Sequence, residues 1–204
     1  FSALTAVYPT LAVEHLVDES LLDEARAAGG MTTALQARIA QTVQAAAADG
    51  AGVLLCTCST IGDAVEKTAV SPQIPLLRVD RPMMETAVSL GSPILVATTL
   101  PSTLAPTQTP LRQVAAAQNA HPTIETVLCE AAWAFFEAGD LAGYAASIAT
   151  TLREKAGEAA VIILAQASMA PAAELCQDLG IPILSSPALG VKTAVSLLAQ
   201  SAQE

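Results

Sequence analysis

VLLCTCSTIGDAVE (residues 53–66) and VIILAQASMAPAAE (residues 161–174) are two versions of one pattern. Each opens on an apolar run, crosses a short polar turn and closes in a helix-forming stretch. An apolar run of this kind, bounded by turn residues, reads as a buried parallel strand. Aligning the two puts Cys58 opposite Gln166, 108 residues apart. Two further blocks repeat in the same order. IPLL (residues 74–77) matches IPIL (residues 181–184), and TAVSL (residues 86–90) recurs at residues 193–197, now offset by 107. Three ordered matches at nearly one spacing make the chain two copies of one α/β unit. The spacing is far above the ~50-residue periods of solenoid and propeller repeats.

Working outward from these blocks, strand-like and helix-like stretches alternate along the chain. Residues 11–17 read as a strand and residues 32–48 as a helix, with Leu35, Ile39, Val43 and Ala46 on one face. Strands are expected at 52–56, 75–79, 93–97, 123–128, 160–164 and 182–184. Helices are expected at 60–70, 82–90, 110–120, 131–156 (broken near Gly139), 169–179 and 191–199. Residues 98–109 read as a Thr/Pro-rich loop. Such alternation predicts parallel sheets flanked by helices. The fold class is therefore α/β, with two pseudo-symmetric lobes and a cleft between them. Residues 1–92 with 186–204 are expected to form the first lobe, and 93–185 the second. The second copy opens with a strand that the first copy lacks. A strand preceding residue 1 and a short helical piece at the start of the chain are thus expected.

Composition narrows the function classes. Hydrophobic residues make up 52% of the 204, but aromatics only 3%, so the core is built from Ala, Val, Leu and Ile. The mean hydropathy is +0.50, yet no apolar stretch approaches the ~20 residues of a membrane span. A net charge of −10 without a basic run argues against nucleic acid. Four cysteines in a chain of this length do not suggest a disulfide framework. The expected location is the cytoplasm, and the apolar composition suggests a homodimer.

The chemistry is expected at the carboxyl ends of the strands, where open parallel sheets bind ligands. Cys58 falls at such an end, just before a helix. The unpaired N–H groups of a helix start favour an anion, whether a thiolate or a substrate carboxylate. A free thiol is only about 3% ionised at pH 7, so this help matters for a base. Thr57, Ser59 and Thr60 add hydroxyls at the same turn. Cys56, on the apolar run, reads as a buried structural thiol.

The CSTIG stretch (residues 58–62) resembles the first catalytic loop of the aspartate/glutamate racemase superfamily, and the duplication resembles its two facing lobes. In that family one cysteine from each lobe flanks the substrate α-carbon, and the two move its proton without a cofactor. The resemblance implies that Cys58 is the first of these. The LAQASM loop (residues 164–169) resembles the second, with Gln166 in the cysteine's place. An amide is no proton acid or base near pH 7, so the resemblance implies one-thiol chemistry on a small carboxylate or amino acid. That chemistry is a racemase- or isomerase-like step at the α-carbon, a decarboxylation or a lyase reaction. Relatives with one cysteine protonate one face of an enediolate. A non-catalytic binder of small acids is the rival reading.

Other residues fit around this pair. Gln166 reads either as a ligand-binding amide or as a loop anchor. Ala167 and Ser168 sit at the second helix start, as a matching anion cradle. Thr98, Thr99 and Ser102, with Thr103, Thr107 and Thr109, make the 98–109 loop rich in hydroxyls. They suit a carboxylate substrate or helix capping, Thr109 before Pro110 being the clearest cap. Arg81 reads as a carboxylate partner or a surface ion pair. His15 and His121 are not placed for a triad. Cys56-Thr57-Cys58 has no supporting metal ligands, and no phosphate-binding glycine pattern occurs. Neither a metal nor a cofactor is therefore expected.

Overall fold

A computed structural model of the chain describes residues 11–201. The first part holds helices α1 (Glu19–Ala27) and α2 (Thr33–Ala48), strand β1 (Leu54–Cys56), helix α3 (Ser59–Glu66), strand β2 (Leu76–Arg78) and helix α4 (Arg81–Leu90). The second runs β3 (Ile94–Thr98), α5 (Leu104–Ala117), β4 (Ile124–Leu128), α6 (Glu130–Glu137), α7 (Leu141–Lys155), β5 (Val161–Leu164), α8 (Pro171–Leu175) and β6 (Ile183–Ser185). Helix α9 (Ser186–Ser201) follows directly. All strand pairing is parallel, in two sheets: β1-β2, and β4-β3-β5-β6.

The second sheet carries helices on both faces, and the two-residue period of its strands explains how. Leu95 and Ala97 of β3, with Ile162 and Leu164 of β5, face a core shared with Tyr144, Ile148 and Leu152 of α7. Their neighbours Ile94, Val96, Val161 and Ile163 face the opposite core, with Met83 and Met84 of α4 and Leu111 and Val114 of α5. Central strands buried on both sides need apolar residues at every position. That requirement is why β3 and β5 read as continuous apolar runs.

The first sheet is smaller; β1 is half-buried, whereas β2 buries Leu77 and Arg78. Leu21, Leu35, Ile39 and Val65 pack α1, α2 and α3 into one cluster. Helix α2 starts where Thr32 accepts the Leu35 N–H at 3.1 Å, a standard N-cap. Helix α9 leaves the second sheet and packs across α4, β1 and β2. Gly190 permits this crossing: a Cβ there would lie 2.5 Å from the Val79 carbonyl oxygen.

Three expectations need correction. Residues 11–18 are irregular, not a strand, and expose Val13, Leu16 and Val17; among the described residues no strand lies beside them to supply hydrogen bonds. The 98–109 loop is mostly helical, because α5 starts at Leu104. Pro106 falls in the first turn, where no N–H is needed, and Pro110 is buried inside the helix, so Thr109 caps nothing. The helix expected at 169–179 is a short α8 between two 3₁₀ turns. The strand expected before residue 1 and the helical piece at the start lie outside the described residues.

Candidate active site

Cys58 and Gln166 occupy the same place in their units. Each sits two residues beyond a strand end, β1 and β5 respectively, and each is extended at the N-cap of the following turn. Cys58 has φ −105° and ψ 115°; Gln166 has φ −120° and ψ 136°. What surrounds them differs.

Gln166 is the centre of a hydrogen-bond network. Strands β3 and β5 are neighbours in register, so the turns after them emerge side by side. The Gln166 Oε1 accepts from the Thr99 N–H at 2.8 Å, from Thr99 Oγ1 at 2.9 Å and from Thr98 Oγ1 at 3.1 Å. A backbone N–H can only donate, so the atom facing it is the amide oxygen. The amide nitrogen therefore points away from the network with two protons to give. Among the described residues no buried side-chain nitrogen or oxygen is left without a partner. Behind the network stands the buried Tyr144 of α7, its hydroxyl 3.1 Å from Ser168 Oγ and 3.5 Å from Thr99 Oγ1. Thr103 joins through Thr98 and donates to the Leu100 carbonyl at 2.8 Å. Ser102 and Ala167 are exposed at the rims of their 3₁₀ turns, and Thr107 is buried within α5.

Among the described residues the Cys58 turn has no comparable side-chain network. The Cys58 thiol caps nothing, although it stands where a capping oxygen would accept the free N–H groups of the α3 start. A neutral thiol is a weak acceptor there, whereas a thiolate would gain most from those groups. Ser59 is half-buried, and Thr57 and Thr60 are exposed. From behind, Cys56 donates its thiol proton to the Cys58 carbonyl, with Sγ 3.4 Å from the oxygen. Burial pushes the Cys56 thiol up to about 11, so it stays protonated and keeps that bond. Burial likewise raises Cys129 to about 11, and it raises Cys176.

Arg81 is engaged elsewhere: its NH2 donates to Glu66 Oε2 at 2.8 Å, closing an ion pair at the far end of α3. No hydrogen bond among the described residues joins the Cys58 turn to the Gln166 turn. Helix α3 packs on α5, the helix that follows the Thr98–Thr103 turn, and α4 packs on α5, β5 and β6. Shallow concavities of about 340 Å³, at Gln44 and Ile74, and about 270 Å³, at Arg112 and His121, are lined by none of the site residues. Tyr144 is the member sequence reasoning missed. Its only signal was a tyrosine hydroxyl inside an otherwise apolar helical face, which has to find a partner when buried.

A family model for Asp/Glu/hydantoin racemases matches residues 11–194. Among solved structures, the chain is similar to allantoin racemase from Klebsiella pneumoniae, with a TM-score of 0.57 and 20% identity. The match covers 81% of this chain and 67% of that one; at such identity the likeness is one of fold. No curated protein matches significantly. Among the described residues no helix is long and apolar enough to cross a membrane. With a match over most of its length, the chain belongs to the Asp/Glu/hydantoin racemase family.

Proposed function

We propose that the protein is a cofactor-independent racemase-type enzyme that moves a proton on one face of the α-carbon of a small carboxylate or amino acid. Cys58 is its acid and base, and Gln166 binds rather than titrates. The observation that carries this reading is the pinned amide. With Oε1 held by Thr98 and Thr99, Gln166 offers two N–H donors where a second thiol would otherwise work. Those donors suit a carboxylate oxygen, and the N–H groups at the α3 start suit a second anionic group. The Cys58 thiolate takes the α-proton, the electron pair passes into the carboxylate as an enediolate, and the same thiol returns the proton on that face, either to the α-carbon, which is seen only as isotope exchange, or to a neighbouring atom of the delocalised system, which isomerises the substrate.

The division into residues 1–92 with 186–204 and residues 93–185 belongs to this proposal, supported by the two separate sheets and the return of α9 to the first. The four free cysteines fit a reducing compartment, which supports the cytoplasm. A second reading, favoured by the same untitratable Gln166, is decarboxylation or lyase chemistry. There CO₂ or another group leaves with its bonding pair left behind, and the Cys58 thiol protonates the carbanion.

Incubation in D₂O with a panel of 2-substituted acids and amino acids tests the proposal. Deuterium should enter the α-position with configuration retained, and Cys58→Ala should slow entry at least ~100-fold. Racemisation of the substrate at intact Gln166 would sink the one-face reading. Absence of exchange together with CO₂ release from an acid bearing two carboxylates on one carbon would favour the second.

A further inference from the structure

Behind the Cys58 turn lies a buried ion pair that the proposed chemistry does not use. Arg78 ends β2, in register with Cys56 of β1. It is 3% exposed and Asp80 5%. The guanidinium grips the carboxylate in a fork, Nε to Oδ1 at 2.8 Å and NH2 to Oδ2 at 2.7 Å. A buried pair of this kind is weak evidence for stability, since well-packed apolar residues often do as well. Its location is more informative. The guanidinium lies against α3 at Gly62, where a Cβ would come within 2.7 Å of Arg78 Nε and 3.0 Å of its Cζ. Gly62 is four residues beyond Cys58, one turn into the helix that the thiol precedes. Cys56, beside Arg78 in the sheet, holds the Cys58 carbonyl. The other charged groups on these elements are paired: Glu66 with Arg81, and Asp63 with Lys67 at the exposed surface.

From this arrangement we infer that Arg78 is a positioning residue for Cys58, a flat cationic wedge that sets where the first turn of α3 sits and therefore where its N–H groups aim. Asp80 keeps the wedge in place, and Gly62 makes room for it. The inference rests on the reading of Cys58 as the working thiol.

The test is the iodoacetamide alkylation rate of Cys58 in the full chain, read by peptide mass spectrometry at pH 7.0 and pH 9.5. The variant combines Arg78→Met with Asp80→Leu, which removes both charges and strands neither. Its pH 7.0 rate should fall about fivefold while its pH 9.5 rate holds, because aligned N–H groups matter only where ionisation limits the rate. Unchanged rates at both pH values in the folded double variant overturn the inference. A rise at both overturns it too, since the turn would then merely have loosened. Should that variant not fold, Arg78→Lys takes its place. An ammonium keeps the charge but cannot make the flat fork, so it should show the same pH-selective loss, and unchanged rates there overturn the inference. Labelling needs no substrate. Failure of deuterium exchange would count against the catalytic reading alone, whereas a flat labelling comparison would count against Arg78 alone.

Discussion

The turn after β5 and the turn after β1 start from the same extended backbone, at Gln166 and Cys58, and are secured in opposite ways. At Gln166 the side chain itself is held: three donors converge on one oxygen, with Tyr144 and Ser168 packed behind. At Cys58 the side chain makes no hydrogen bond among the described residues, and it is the surroundings that are held, by the Cys56 thiol on the carbonyl and by Arg78 under the helix. The contrast fits the two residue types. An amide is useful once its donors are aimed, so its oxygen is tied down. A thiol that exchanges a proton has to change charge, and a fixed hydrogen bond to either form would bias it.

The largest effect expected from breaking the contrast comes from the Cys58 side. Asp80→Leu alone leaves the Arg78 guanidinium buried without its partner, and removing one member of a buried pair costs about 3–5 kcal/mol. Urea denaturation should show that loss, and most of it should return when Arg78→Met is added. The network at Gln166 should break more gently. Thr99→Val keeps the shape but deletes one of three donors to Oε1, leaving the Thr99 N–H and Thr98 in place. The expected loss is about 1 kcal/mol, with Cys58 labelling untouched; slower labelling would mean that the two turns are coupled.

The smallest expected effect concerns Cys56 and Cys129. Cys56 and Cys129 have folded-state pKa values raised to about 11 by burial. A thiol raised on folding holds its proton longer in the folded chain than in the unfolded one. The unfolded state then binds fewer protons across that interval, and stability falls as pH rises from the ordinary thiol range towards 11. The urea midpoint should therefore drop modestly between pH 8 and pH 10.5. Below that range Cys56, Cys129 and Cys176 should resist iodoacetamide while Cys58 reacts.

The equivalence of Cys58 and Gln166 is legible in the residues alone, because a duplicated strand–turn–helix leaves its period in them. The apolar runs at β3 and β5 were legible for a related reason: burial on both faces demands apolar residues at every position. The start of α5 was misread because its prolines look like breakers, and only the turn in which each falls decides whether an N–H is missed. The 11–17 stretch was misread because alternation proposes a strand but cannot supply its neighbour. Nothing in the sequence singles out Arg78 and Asp80, since two charges separated by one residue do not announce that they will be buried against each other.

The sequence by itself therefore determined the class of fold, the duplication and the equivalence of the Cys58 and Gln166 positions. All of these are local or periodic properties, written in residue type and spacing. Only the tertiary structure decided which way the Gln166 amide faces, that Tyr144 stands behind it, and that a buried guanidinium rests against Gly62. Each of those depends on groups far apart in the chain: 67 residues separate Thr99 from Gln166, and no periodicity carries that information.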